Sequence, residues 1–178
     1  MQKNFSGLSG LGIYEKRIRS WFNVKITHDT ARWKSFCEAI KTGNAAKAEQ
    51  LFNEFMSVSI SIRDTRIKKE TKENFFHGML LGLLQAEGSW NVKSNVEPGT
   101  GYTDICLEIP MTKTGCILEV KYAENGQYEQ ACAEAMRQIE DNKYTQILKQ
   151  EGIQTIHKYG IACYKKSCKI VYSSDSFK

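Results

Sequence analysis

Hydrophobic positions along the chain change their period twice. From Thr30 to Lys41 the residues Trp33, Phe36, Cys37 and Ile40 recur at steps of three and four, which predicts a helix, and Gly43-Asn44 stops it. Ala48, Leu51, Phe52 and Phe55 repeat the pattern from about Ala45 to Ser57, and "ENFFHGMLLGLLQAEG" carries a third helix from about Lys69 to Glu87, with Gly88 as its cap. After Gly88 the period falls to two. "WNVKSNV", "YTDICLEI" and "CILEVKYA" predict three strands, joined through "EPGTG" and "PMTKTG". A long amphipathic helix is expected from about Tyr128 to Gln150, with Tyr128, Ala131, Cys132, Ala135, Met136 and Ile139 on its apolar stripe. "TIHKYGIACY" and "CKIVYS" then pair as a hairpin through "KKS". The expected organisation is one compact domain: 1–28 a flexible lead-in with a short helix, 29–88 a helical segment, and 89–178 an α/β core.

One strand breaks its own pattern. In "TGCILEVKYAE" Cys116, Leu118, Val120 and Tyr122 share one face, while Glu119 and Lys121 join Ile117 on the other. Burying charge is costly unless it is paired or binds a metal. In "YTDICLEI" Thr103, Ile105, Leu107 and Ile109 share one face, and Asp104, Cys106 and Glu108 share the other. If the strands pair as a meander, Asp104 and Glu119 converge at one sheet edge. Two such carboxylates, with the backbone carbonyl of Val120, suit a hard cation such as Mg²⁺. Lys121 would then orient a metal-bound water or stabilise charge on a phosphate. The tripeptide itself is uninformative, since [DE]xK occurs at Glu70, Glu119 and Asp141. From spacing alone, a metal site and a structural ion pair at a sheet edge both remain open.

Composition narrows the class without naming a chemistry. The 178 residues suffice for a real core, and the 41% apolar and 25% charged fractions are those of a globular protein. No apolar run spans a bilayer and the N-terminus does not read as a signal peptide, so the expectation is a cytoplasmic protein with no membrane partner. Six cysteines without a CxxC pair read as small core residues. The net charge of +5 concentrates at "EKRIR", "RDTRIKK" and "YKKSCK", which is compatible with a polyanionic partner and equally with solvated surface. The opening "SGLSGLG" lacks the GxGxxG order, and no GxxxxGK[ST] follows, so a phosphate loop is not indicated.

"NVEPGTGYTDICLEI", "CILEVKYAE" and "EAMRQIEDNKY", taken in order, resemble the PD-(D/E)XK nuclease superfamily, and more narrowly the nuclease-like domain found behind an AAA-ATPase-like module. "SISIRDTRIKKETKENFFHGMLLGLL" and "YGIACYKKSCKIV" resemble its preceding helical segment and closing hairpin, so the likeness runs from about Thr30 to Tyr172. The resemblance implies a restriction-endonuclease-like fold, a mixed β-sheet core flanked by helices with an N-terminal helical segment. It implies a nuclease that hydrolyses phosphodiester bonds of DNA, with RNA as the other substrate, by water activated on Mg²⁺ or Mn²⁺. Asp104 matches the motif aspartate, and Glu119 and Lys121 match the (D/E)xK pair. Glu73 matches the helix acid that can complete the metal shell. Gln138, followed by Tyr144 at a longer spacing than the common form, matches a Gln/Tyr signature. Relatives often read Gly-Arg-x-Asp where this chain reads Gly101, Tyr102, Thr103, Asp104, which affects phosphate contact more than metal ligation.

Other readings stay beside these. His77 shares a helix face with Glu73 and reads as a satisfied core histidine; Glu73 itself would suit the first turn of a helix without any catalytic role. Glu97 reads as a solvated loop acid. Trp33, Phe36, Phe52 and Phe55 either pack inward or form a homodimer contact. The alternative to an enzyme is an inactive nuclease-fold module that binds nucleic acid or contacts an ATPase portion.

Overall fold

Asp29 opens the first helix, its Oδ1 accepting a hydrogen bond from the Arg32 backbone N–H at 3.2 Å. The computed structural model describes residues 29–59, 69–96, 103–141 and 144–177. Helices α1 (Thr30–Lys41), α2 (Ala45–Ser59) and α3 (Lys69–Gln85) are followed by strands β1 (Asn91–Val96), β2 (Thr103–Ile109) and β3 (Thr114–Tyr122). Then come α4 (Tyr128–Asp141), α5 (Tyr144–Gln150), β4 (Thr155–Tyr164) and β5 (Ser167–Ser176). The single long helix expected from Tyr128 to Gln150 is thus two, with residues 142 and 143 between them outside the description. The lead-in, the two N-terminal basic runs, Glu97 and Tyr102 also fall largely or wholly outside it.

The five strands lie in sequence order in one mixed sheet. β1, β2 and β3 form the antiparallel meander, and β4 and β5 the antiparallel hairpin. β3 and β4 run parallel, which requires the crossover that α4 and α5 supply. This is the restriction-endonuclease-like α/β arrangement.

The alternation in the strands sorts the faces as expected. Ile105, Leu107, Cys116, Leu118, Val120, Tyr159 and Ile161 pack with Trp33, Phe36, Phe52, Phe55 and Leu80 into one continuous core, so the N-terminal aromatics point inward. Cys106, Ile117 and Ile156 on the opposite face meet Ile139, Tyr144 and Leu148 of α4 and α5. Polar anchors tie the helices to one another and to the sheet. The Trp33 indole donates to the Leu83 carbonyl at 2.9 Å and the Tyr159 hydroxyl to that of Ile40 at 2.6 Å. β5 is an edge strand, and α2 covers its open ladder groups: Asn53 pairs with both backbone groups of Cys168, and Glu49 accepts from the Ile170 N–H at 2.7 Å. All six cysteines are free and buried, as their apolar settings suggested. No helix among the described residues is long and apolar enough to cross a membrane.

Gly160 fixes how closely α4 lies on the sheet. It pairs with Glu119 across the parallel ladder, and a Cβ there would stand 2.9 Å from Met136 Cγ and 3.0 Å from the Cys132 carbonyl oxygen. The second neighbour is helix backbone, which cannot swing aside as a side chain can. Gly160→Ala should therefore lower stability by about 1–3 kcal/mol through overpacking. Urea unfolding checks this, and an unchanged midpoint would mean that α4 is not held at this distance.

Candidate active site

The ladder between β2 and β3 is regular from Ile109↔Thr114 to Ile105↔Leu118 and ends there. One step on, Asp104 and Glu119 stand opposite each other in the same register. Their strands exchange side chains for backbone bonds: the Asp104 N–H donates to Glu119 Oε2 at 3.3 Å, and the Val120 N–H donates to Asp104 Oδ2 at 2.8 Å. The Tyr122 N–H, two residues further, donates to Glu73 Oε1 at 3.0 Å. β3 stays paired with β4 on its other side through Tyr122↔Cys163. The N–H groups of Val120 and Tyr122 face the side that β2 has left. A strand residue sends its N–H and C=O to the same side, so the Val120 carbonyl also faces the acids. The strand divergence thus creates backbone donors that need acceptors, and three carboxylates supply them.

Lys121 Nζ lies 2.9 Å from Glu119 Oε1 on the face they share. Glu119 is 1% exposed and the Lys121 side chain 16%. Burial, followed by the nearby charge of Asp104, pushes the Glu119 carboxyl up to about 7 despite the lysine. For Lys121, burial alone would pull the ammonium down, but Glu119, with Asp104 and Glu73 beyond it, outweighs this and raises it. Lys121 is therefore an ammonium, a donor and not a base. Burial also pushes the neighbouring Cys106 thiol up to about 12, which leaves no thiolate nucleophile beside the acids.

The helix acid reaches the site differently from the sequence reading. Glu73 is the fifth residue of α3, past its first turn, and its carboxylate is fixed by the strand instead of by the helix dipole. One turn later, His77 Nε2 lies 3.0 Å from the Asp104 carbonyl oxygen and 3.1 Å from Ser94 Oγ. A carbonyl only accepts, so Nε2 carries the proton. His77 is half-buried and binds polar partners, and it ties α3 to β1 and to Asp104. Its spacing from Glu73 was visible in sequence, but its partner was not, because the ring bonds to a main-chain atom.

Tyr122 was not singled out from sequence, yet three groups meet on it. Its N–H holds Glu73, its hydroxyl accepts from Lys72 Nζ at 3.1 Å, and its ring lies 5.7 Å from that of Tyr164. Gln138 sits half-buried on α4, between the buried Ala135 and Ile139, on the helix covering the face that bears Glu119 and Lys121. Tyr144 belongs to the core, 3% exposed and in the same cluster as Cys106.

A buried glutamate opposite a half-buried aspartate where two strands diverge, a lysine two residues beyond the glutamate, and a helix acid on the same strand edge form a motif that the wider comparison bears on. No curated protein matches the chain. The family model of the PD-(D/E)XK nuclease superfamily matches residues 71–173, from the helix carrying Glu73 through the sheet to β5. With more than half of its length covered by that match, the chain belongs to the PD-(D/E)XK nuclease superfamily.

Proposed function

We propose that the protein is a divalent-metal-dependent nuclease that hydrolyses phosphodiester bonds of nucleic acid, DNA first. The observation that carries this reading is the reciprocal Asp104–Glu119 arrangement with Lys121 locked on Glu119. The donor set fits a hard cation. Among the described residues no three Asp, Glu, His or Cys side chains converge closely enough to hold an ion alone, but Mg²⁺ needs only one or two carboxylates with waters and carbonyls. Asp104 and Glu119 would hold Mg²⁺ or Mn²⁺, with the Val120 carbonyl beside them and Glu73 adjoining. A bound ion supplies a water acidic enough to attack phosphorus near neutral pH.

The chain's own groups do the rest. Asp104 and Glu119 are oriented by backbone N–H groups, so neither carboxylate swings freely. Lys121, held as an ammonium, donates to a non-bridging phosphate oxygen as negative charge grows on it. His77 positions Asp104 through its carbonyl, and Gln138 is assigned to substrate positioning on the strength of the family motif. The non-catalytic reading, a module for nucleic acid or for an ATPase-like partner, draws support from Tyr102, where the resemblance to the family's Gly-Arg-x-Asp pattern would place an arginine.

The two readings separate in a single assay. Plasmid, linear and single-stranded DNA and RNA are incubated with the protein in Mg²⁺, Mn²⁺ or EDTA. Cleavage should require the ion and disappear in Glu119→Ala and Asp104→Ala, which should also lose Mn²⁺ binding by calorimetry. Lys121→Met should keep the ion and lose about 10²–10³-fold in kcat. An inert wild type that binds no Mn²⁺ would assign the acids to structure alone. His77→Ala should weaken Mn²⁺ binding about 10–100-fold while the chain stays folded, since it acts through a ligand's main chain.

The buried Glu119 also predicts a pH dependence. Its folded-state pKa, about 7, lies above the usual carboxylate value, so the folded state binds the extra proton between them. Its contribution to stability is complete below pH 4 and is lost as pH rises through 7. In EDTA the Tm should fall from pH 5 to pH 8, Glu119→Gln should flatten that slope, and Mn²⁺ should raise the Tm more at pH 8 than at pH 5. A wild-type slope unchanged by Glu119→Gln would show that this carboxyl is not the titrating group.

A further inference from the structure

We infer that a row of lysine and tyrosine side chains, Lys72, Tyr122, Tyr164 and Lys165, continued by Lys166, is the track along which the sugar-phosphate backbone of a nucleic acid reaches the acids. The identity of the polyanion rests on the nuclease reading above. The row is continuous in space although its members come from α3, β3 and the β4–β5 turn. Lys72 Nζ stands 4.6 Å from the centre of the Tyr122 ring and donates to its hydroxyl at 3.1 Å. The Tyr122 and Tyr164 rings are 5.7 Å apart, and Lys165 Nζ stands 5.1 Å from the centre of the Tyr164 ring. The row meets the site at Glu73, whose carboxylate the Tyr122 N–H holds at the open edge of β3, while the Tyr122 ring lies on the face of the strand opposite Glu119 and Lys121.

The charge of this row is available to a ligand. Among the described residues Lys93, Lys121, Lys158 and Lys169 each have a carboxylate partner, whereas Lys72, Lys165 and Lys166 form no ion pair. Lys169 is left out of the row because Glu129 stands 3.9 Å from it. Lys165 is exposed at the turn and Lys166 half-buried beside it. The rings are not stacking platforms: Tyr122 is 8% exposed and Tyr164 half-buried. Their faces hold ammonium groups in place by cation–π attraction. Such a surface recognises phosphates as point charges and ignores base identity.

The test measures binding of the full chain to short fluorescein-labelled oligonucleotides, single- and double-stranded and of varied sequence, by anisotropy in EDTA across a salt series. The Lys165→Ala/Lys166→Ala variant should bind at least about ten-fold more weakly at low salt, with the slope of log K against log salt reduced by about 1.4 for single strands and about 1.8 for duplex. Lys165→Arg/Lys166→Arg should restore both. Lys34→Ala/Lys47→Ala, which removes the same charge from exposed positions on α1 and α2, should leave both unchanged. Equal slopes in the two alanine variants would overturn the proposal, as would polyglutamate bound as tightly as DNA with the same dependence on Lys165 and Lys166. Hydrolysis is not required in EDTA. A chain that binds through the row but never cleaves sinks only the nuclease reading, and one that cleaves while its binding ignores the row sinks only this one.

Discussion

The arrangement depends on one constraint: β2 and β3 must part without leaving buried backbone N–H groups unpaired. An unsatisfied buried donor costs about 1–3 kcal/mol. Here the N–H groups of Asp104, Val120 and Tyr122 are accepted by Glu119, Asp104 and Glu73 in turn. Each acid is therefore both a partner that lets the strands diverge and a candidate ligand at the gap so formed. The same bonds that allow the fold to open also hold the carboxylates in position, which is the preorganisation a metal site requires. Removing one of these acids is a structural change as well as a chemical one.

Two lysines, one buried and one half-buried, show why this cluster is unlike an ordinary ion pair. Lys158, 3% exposed beneath the end of α4, lies 2.9 Å from Glu140 and 2.7 Å from Asp175. Those acids are 57% and 38% exposed, so solvent carries much of their charge and the lysine only has to be capped. At the strand gap the exposure is reversed. Glu119 is 1% exposed, and Asp104 and Glu73 act on the same lysine. One ammonium contacts one buried carboxylate and lies in the field of two half-buried ones. Burial and the nearby Asp104 charge accordingly raise the Glu119 carboxyl even with the lysine in contact.

Much of this was legible in the sequence because β-strands repeat with period two. The alternation in "TDICLEI" and "CILEVKY" assigned Cys106 and Ile117 to one face and Leu107, Leu118 and Val120 to the other, and the two cores divide along that line. The anomaly of Glu119 and Lys121 stood out for the same reason. What stayed hidden were contacts between main chain and distant side chains. Glu73 on the Tyr122 N–H and His77 on the Asp104 carbonyl leave no periodic trace, since any side chain facing them would look the same in sequence. The division of the helix after Asp141 was missed because Tyr144 and Leu148 continue an apolar stripe whether or not the helix is continuous.

Tyr122 brings these levels together. Its place in the alternation makes it a core residue, its backbone N–H lies on the opened strand edge, and its hydroxyl and ring reach Lys72 and Tyr164. The pull of Glu73 on the strand and the anchoring of a lysine on the ring therefore act on one residue. If the row binds a polyanion, the ligand at Lys72 would meet a group whose position is set by the same strand that carries Glu119 and Lys121. Affinity at Lys72 and chemistry at Glu119 and Lys121 would then share one strand.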